Sequence, residues 1–412
     1  MNYGCIGEHL KHSFSKEIHN ALADYKYDIC EIAPENLDAF MEKRDFSAIN
    51  VTIPYKQAVI KHLYEIDDSA KEIGAVNTIV NRGGRLYGYN TDFFGMRALI
   101  LHAGIDVSNR KVAILGTGGT SRTANAVAKS LGASRILRVG RAPKAGAITY
   151  GELCQEYSDT EIIINTTPVG TFPNIFDAPI SLDAFPALIG VIDVVYNPLS
   201  TPLILAARER GIPAEGGLYM LVAQAVRASE IFIDTSYPEN TLDSVFEKIK
   251  RSKENIILIG MPASGKSTVG KIIAERLGRE FIDTDALIEE RAGISIPEIF
   301  AKFGESHFRD LESEAIRELA TKNGTVIATG GGAILREENT RALRENGRIY
   351  FIDRPLELLM PTEDRPLASS REAIERRFAE RYGIYKKTAD ITVSSVKTPT
   401  DTADLIIEDF CL

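Results

Sequence analysis

Short apolar runs alternate with amphipathic stretches along the chain, the pattern of strands separated by helices. Over the first hundred residues, Tyr3–Gly7, 27–32 and 48–53 read as strands. Residues 34–43 have helical spacing, with a proline in the first turn, where its missing N–H costs nothing. Residues 77–90 read as a hairpin turning at Gly83-Gly84. From Arg110 the order becomes strand (Lys111–Leu115), glycine turn, helix (121–131) and strand (135–139), a βαβ unit of about thirty residues. Further strands are predicted at Ile162–Asn165 and 191–195, and a helix at about 218–232. A charged stretch, 247–254, precedes a buried strand at Asn255–Ile259, and more strands are predicted at 280–283, 325–328, 348–352 and 391–393.

The pattern predicts an α/β chain of two or three domains. The first stretch spans 1–101, which a resemblance to a known family makes a substrate domain with return helices from about 218 to 246. The second is a Rossmann domain, 102–217. A P-loop domain with a parallel sheet, 255–412, follows a linker at 247–254. That charged stretch reads equally well as an exposed helix end. No internal repeat and no low-complexity segment interrupts the pattern.

Composition narrows the class. At 412 residues the chain is too long for one ordinary core, and 44% hydrophobic with 25% charged residues is globular. A net charge of −9 argues against general nucleic-acid binding. Cys5, Cys30, Cys154 and Cys411 form no CxxC pair, so neither a zinc site nor a disulfide framework is expected. No run of about 18 apolar residues is present to span a membrane. A strand-like segment begins at Tyr3, which leaves no expected room for a leader, so a cytoplasmic enzyme is expected.

Two glycine-rich loops carry the chemistry. Gly116-Thr117-Gly118-Gly119-Thr120-Ser121-Arg122 follows a strand and opens a helix. Gly116, Gly118 and Gly119 let backbone approach a pyrophosphate, and the helix start, with Thr120 and Ser121, offers free N–H groups. After the next strand no acid is placed to take a ribose 2′-hydroxyl. Arg141 and Lys144 stand there instead, either meeting a 2′-phosphate, as NADP(H) requires, or lying on the surface as solvated cations. The second loop is Gly260-Met261-Pro262-Ala263-Ser264-Gly265-Lys266-Ser267, followed by Thr268. Gly260, Ala263, Ser264, Gly265 and Thr268 belong to a cradle for the phosphates of ATP. Lys266 reaches their outer oxygens, and Ser267 can ligate Mg²⁺.

Asp283-Thr284-Asp285 is expected to end a strand, with both carboxylates on one face: one for the metal and one for an acceptor hydroxyl, or both for capping or metal alone. Gly330-Gly331-Gly332 lets a substrate lie against backbone. Arg309 and Arg381 can fork a carboxylate, and Arg365 sits in an expected lid, although single arginines are usually surface residues.

Residues 3 to about 245 resemble the shikimate dehydrogenase family. The resemblance is carried by His12-Ser13-Phe14-Ser15, Asn50-Val51-Thr52-Ile53-Pro54-Tyr55-Lys56, Ala75-Val76-Asn77-Thr78 and Asn90-Thr91-Asp92. It continues through Asn165-Thr166-Thr167-Pro168-Val169-Gly170 and 217–224. The resemblance implies that Ser13 and Ser15 bind the substrate carboxylate, while Thr52, Asn77 and Gln224 hydrogen-bond a small polyhydroxy acid. Lys56 would protonate the nascent oxyanion, with Asp92 holding its charge. Three positions depart from the family: Lys16 for proline, Gly140 for asparagine and Tyr219 for a glycine near the nicotinamide.

Residues 256–385 resemble shikimate kinase. By that resemblance Asp285 orients the acceptor hydroxyl as base, Asp283 acts on Mg²⁺ through water, and Arg309, Arg381, Gly331 and Gly332 bind shikimate. Glu312 would pair with Arg309, Arg365 would be the lid arginine, and Lys266 would serve the transfer. Met360-Pro361-Thr362-Glu363 is short and lacks the basic residue that usually flanks adenine. Together the resemblances imply reduction of 3-dehydroshikimate with NADPH, then phosphorylation of shikimate with MgATP. Two other readings stay open: a catalytically weak kinase-like module that binds shikimate or nucleotide and regulates, and a dehydrogenase preferring quinate and NAD.

Overall fold

The computed structural model describes residues 1–8, 10, 14–142, 146–360 and 370–412. Ser13, Lys144 and Arg365, expected above as site residues, lie outside the described residues. The chain divides into two compact units. The first comprises Met1–Thr171, Asp177–Asn197 and Ala206–Ile249; the second comprises Phe172–Phe176, Pro198–Leu205 and Lys250–Leu412.

The first unit holds two six-stranded sheets. One runs in the order Tyr27–Glu31, Tyr3–Gly7, Ala48–Val51, Thr78–Arg82, Arg85–Tyr89, Glu65–Ile66. Its first three strands are parallel, and the glycine-turn hairpin adds antiparallel to Ala48–Val51, pairing Asn50 with Thr78. Ala48–Val51 is buried throughout, as a central strand covered on both faces requires.

The second sheet is wholly parallel, in the order Ala214–Glu215, Gly190–Asp193, Ile162–Asn165, Lys111–Leu115, Arg135–Gly140, Ile148–Thr149. The strand order reverses between Lys111–Leu115 and Ile162–Asn165, the crevice in which such sheets bind ligands. Gly116 leaves the first of these strands at φ 112°, and a Cβ there would lie 2.7 Å from Thr166 Oγ1. Only glycine satisfies both the backbone angle and the space.

The second unit carries a five-stranded parallel sheet, ordered Phe281–Asp283, Val326–Ala328, Asn255–Ile259, Gly347–Asp353, Ile391–Ser394. One core cluster joins Ile257, Ile259, Phe351 and Tyr385, and Ile175 is buried within it. A second cluster, on Ile256, Leu258, Tyr350 and Phe410, lies under helices Lys266–Leu277 and Pro399–Cys411.

The charged stretch at 247–254 is the end of a helix, one of the two readings its sequence allows. Residues Thr241–Lys253 form one helix, with Val245, Phe246 and Ile249 buried at helical spacing. The division between units falls inside that helix.

One expectation changes at the Asp-Thr-Asp segment. The strand ends at Asp283, and Thr284–Ala292 is already helical. Asp283 is the helix cap, its Oδ1 accepting from Asp285 N at 3.0 Å, so Asp285 projects from the first helical turn rather than from a shared strand face. The cap outweighs strand continuation because it satisfies helix N–H groups that would otherwise lack partners.

Candidate active sites

In the first unit Lys56 and Asp92 form a direct ion pair. Lys56 Nζ lies 2.5 Å from Asp92 Oδ2, both side chains largely sheltered. Lys56 stands in the loop after strand Ala48–Val51, where its carbonyl accepts from Val76 N at 2.8 Å. Asp92 opens helix Asp92–His102, whose positive end favours a carboxylate.

The polar groups around this pair form one network of neutral amides and hydroxyls. Asn77 Nδ2 donates to Thr91 Oγ1 at 3.0 Å, and Asn77 Oδ1 accepts from Thr91 N at 2.8 Å. Thr91 Oγ1 lies 3.4 Å from Gln224 Oε1 on the return helix Leu218–Ile233. Thr52 N bonds Ile6 O at 3.0 Å, which holds the loop carrying Lys56 to the neighbouring strand. Ser15 begins helix Ser15–Leu22. Thr91 was absent from the residues expected at the site; its place between Asn77 and Gln224 depends on a contact across more than a hundred residues that no local pattern reveals.

At the first glycine loop, helix Gly119–Ser130 starts from Gly118 with no side-chain cap. Ser121 Oγ in its first turn is buried without a hydrogen-bond partner. Uncapped N–H groups beside an unsatisfied hydroxyl fit a pyrophosphate. Arg141 is exposed at the end of the following strand, near Tyr150. The ring of Tyr219, one of the family departures, stacks on His102 at 3.8 Å, and its hydroxyl donates to Asp243 at 2.7 Å.

The second unit builds its site from charges. The P-loop joins strand Asn255–Ile259 to helix Lys266–Leu277, and Ala263 is held at φ 63° within it. Such backbone is sparsely populated by residues with a Cβ and clusters at functional sites. Lys266 Nζ bonds Gly260 O at 3.0 Å and Met261 O at 2.9 Å, while Ser264 Oγ is buried without a hydrogen-bond partner. Ser267 Oγ donates to Asp283 Oδ2 at 2.5 Å, placing two oxygen donors together, as a hard divalent cation prefers. Among the described residues no group of three or more His, Cys, Asp or Glu could hold a metal, so a cation here would also need phosphate and water oxygens.

Opposite this loop, Gly330-Gly331-Gly332 forms a floor pressed from every side. A Cβ on Gly330 would lie 2.5 Å from Asp285 Oδ1 and 2.6 Å from Glu312 Oε1; one on Gly331 would lie 2.9 Å from Pro262. Arg309 Nη1 bonds Glu312 Oε2 at 2.8 Å, and its Nη2 bonds Glu305 at 3.0 Å. Arg381 Nη1 donates to Gly331 O at 3.0 Å, and the Tyr385 hydroxyl donates to the same carbonyl. Burial pushes the Glu312 carboxyl above its ordinary range; Arg309 opposes that shift and the charge of Asp285 adds to it. Burial pulls the Arg309 guanidinium down, but its bonds to Glu312 and Glu305 outweigh this and hold it up. Glu305 and Tyr385 were missed in the sequence; Glu305 stands four residues before Arg309, a helical neighbour spacing.

The structure thus gathers Lys56, Asp92, Thr52, Asn77 and Gln224 in one unit, and Lys266, Ser267, Asp283, Asp285, Arg309, Gly331, Gly332 and Arg381 in the other. Comparison with known proteins agrees with this division. Residues 5–79 match the family model of the shikimate dehydrogenase substrate binding domain, and 262–410 match that of shikimate kinase. The shikimate dehydrogenase (NADP(+)) of Clostridium beijerinckii is 37% identical over 247 residues, covering 56% of this chain and 91% of the relative. The crystal structure of shikimate dehydrogenase 1 from Peptoclostridium difficile is similar with TM-score 0.56 and 36% identity, covering 60% of this chain and 98% of that one. A chorismate mutase/shikimate 5-dehydrogenase fusion protein from Clostridium acetobutylicum gives TM-score 0.57 and 34% identity, covering 60% and 96%. The chain belongs to the shikimate dehydrogenase family and carries a shikimate kinase domain behind its dehydrogenase part.

Proposed function

We propose that the first unit reduces 3-dehydroshikimate to shikimate with NADPH, and that the second phosphorylates shikimate at its 3-hydroxyl with MgATP. The observation that carries this is the pairing, in each unit, of a phosphate-binding loop with a pocket suited to a hydroxylated carboxylic acid. NADPH supplies the hydride and MgATP the phosphoryl group.

In the first unit Lys56 donates the proton that the nascent alkoxide needs, and Asp92, 2.5 Å away, keeps that lysine oriented. Ser13, Ser15, Thr52, Asn77 and Gln224 hold the carboxylate and hydroxyls. Gly116, Gly118, Gly119, Thr120 and Ser121 take the pyrophosphate, and Arg141 with Lys144 takes the 2′-phosphate. That choice of cofactor matches the NADP(+) in the relatives' names and disfavours the NAD and quinate reading.

In the second unit Asp285 receives the proton of the acceptor hydroxyl, while Arg309, Arg381 and the glycine floor hold the acid. Lys266 and Arg365 offset charge on the transferring group, and Ser267 and Asp283 hold Mg²⁺, the latter through water. Gly260, Ala263, Ser264, Gly265 and Thr268 complete the cradle. On this reading the domains are 1–101 with 218–246, 102–217 and 255–412, and the enzyme is cytoplasmic. Among the described residues no helix is long and apolar enough to cross a membrane.

One reaction tests both halves. Purified protein is given 3-dehydroshikimate, NADPH and MgATP, and products are identified by mass. Shikimate 3-phosphate is the expected product. Shikimate without a phosphate ester would reduce the second unit to a binding module, and no NADPH consumption would overturn the first assignment.

A further inference from the structure

Behind the dehydrogenase pocket lies a buried polar cluster that no step above uses. His19 follows Ser15 by four residues on helix Ser15–Leu22 and so shares its face. It is fully buried. Its Nδ1 lies 2.7 Å from the Tyr25 hydroxyl, which donates to Ser229 Oγ at 2.8 Å, and Ser229 meets the Tyr237 hydroxyl at 2.8 Å. The imidazole lies flat on Tyr27, centroids 3.9 Å apart and planes within 7°. Tyr27 in turn donates to Asn50 Oδ1 at 2.7 Å, and Asn50 Nδ2 donates to Thr78 Oγ1 at 3.1 Å and to Asn77 O at 3.3 Å.

Three segments that carry substrate groups therefore meet at one ring. The helix of Ser15 provides His19, the return helix of Gln224 provides Ser229, and the strand before Thr52 provides Asn50, bonded to Asn77. Burial pulls the imidazolium down to about 3, so the ring is neutral. Since Tyr25 gives its own proton to Ser229, the proton between ring and phenol sits on Nδ1. Nε2 makes no hydrogen bond of ordinary geometry, although the Asn50 side chain lies near enough to oppose part of the burial shift. What histidine offers over phenylalanine is the Nδ1 bond together with the stacking.

We infer that His19 is a positioning residue of the dehydrogenase site, fixing the spacing between the groups that bind the substrate's carboxylate and those that bind its hydroxyls. The inference rests on the dehydrogenase reading of this unit. His19 touches neither the Lys56–Asp92 pair nor the glycine loop, so its loss acts on substrate binding rather than on cofactor binding.

The test uses the full chain, measuring shikimate oxidation with NADP⁺ and, in the same preparations, phosphorylation of shikimate. H19F is expected to raise KM for shikimate about tenfold in the oxidation, with KM for NADP⁺ unchanged, because only substrate contacts loosen. H19N, whose amide N–H replaces Nδ1–H, is expected to recover most of that loss; H19Q, whose amide reaches the other ring position, is not. Y25F keeps the stacking and removes the next bond, so it is expected to shift KM the same way and to add nothing to H19F, as members of one network do. Kinase rates should be unchanged in every variant. If H19F fails to fold, Y25F decides. An unchanged KM for shikimate, or KM values for shikimate and NADP⁺ rising together, overturns the inference. A wild-type chain that does not oxidise shikimate overturns the functional reading instead.

Discussion

The two sites solve similar recognition problems with opposite materials. In the first unit one ion pair, Lys56–Asp92, stands among neutral amides and hydroxyls: Asn77, Thr91, Gln224 and the Tyr27–Asn50 chain. In the second, Arg309, Arg381, Glu312 and Asp285 crowd onto three glycines. The difference follows the chemistry. Reducing a ketone needs one proton beside a pocket that is otherwise electrically quiet. Moving a phosphoryl group shifts several negative charges, and preorganised counter-charges are the main stabilisation such a site can offer. The second site packs its charges against one another and against the glycine floor, whereas the first is joined by many weak bonds across distant segments.

The largest effects should fall on the two residues proposed to handle protons, and each should spare the other unit. K56M is expected to lower dehydrogenase kcat by about 10²–10⁴, the usual worth of general acid–base catalysis, with shikimate phosphorylation unchanged. D285N is expected to do the reverse. Steady-state rates for both reactions on each variant check this. A loss of both activities from either substitution would show that the sites are not independent.

The same contrast explains what could be read from residue order. Both loops were legible because phosphate cradles are local: a strand, a run of glycines and a helix start within a dozen residues. The longer strands of the three sheets followed from alternating apolar runs, and the Gly83-Gly84 hairpin from its turn, but the two-residue strands Glu65–Ile66, Ile148–Thr149 and Ala214–Glu215 were too short to show a pattern. The network around Asn77 was not legible, since Thr91 meets Gln224 over 133 positions. Nor was His19, an apparently ordinary histidine on an amphipathic helix. The reading failed at Asp285 because a three-residue strand and a helix cap cannot be told apart by spacing. At 247–254 the charges were legible as a helix end, but the apolar stripe of Val245, Phe246 and Ile249 that buries the rest of that helix was not.

Next in size is G332A, which tests the packing of the kinase pocket. Its Cβ would lie 2.2 Å from Arg309 Nη1, so the guanidinium must shift, which disturbs its bond to Glu312. A charged hydrogen bond of this kind contributes about 1.5–3 kcal/mol, so KM for shikimate in phosphorylation should rise by roughly ten- to a hundredfold. KM for ATP should hold. An unchanged KM for shikimate would mean that Arg309 does not bind the acid.

Glu345 shows what the second unit does with a buried carboxyl lacking a cation. It is 3% exposed, its Oε2 has no hydrogen-bond partner, and burial pushes its carboxyl up to about 8. The folded chain therefore holds this proton more tightly than the unfolded chain does. The associated stability is complete below the ordinary carboxyl range and is lost as pH rises through 8. E345Q keeps the neutral shape and removes that dependence. Calorimetry should show the transition of this unit unchanged near pH 4 and stabilised above pH 8, by on the order of 2–4 kcal/mol. Equal wild-type and E345Q transitions at both pH values would mean that the carboxyl is solvated.

The smallest effect is that of removing the Tyr219 hydroxyl, at a position where the family has a glycine near the nicotinamide. The ring stacks on His102, meets Phe246 edge-on at 5.0 Å and bonds Asp243, so it fastens helix Thr241–Lys253 to the return helix. Y219F keeps the stacking and loses one bond to a carboxylate on the surface, worth about 0.5–1.5 kcal/mol. The melting temperature of the first unit should fall slightly, with KM for NADPH and kcat unchanged. Y219G removes the ring as well and should cost about 3–5 kcal/mol, still without a selective change in cofactor KM. A rise in KM for NADPH with Y219F at unchanged melting temperature would return Tyr219 to the cofactor. It would also show that the neutral network of the first unit reaches further into the crevice than its hydrogen bonds imply.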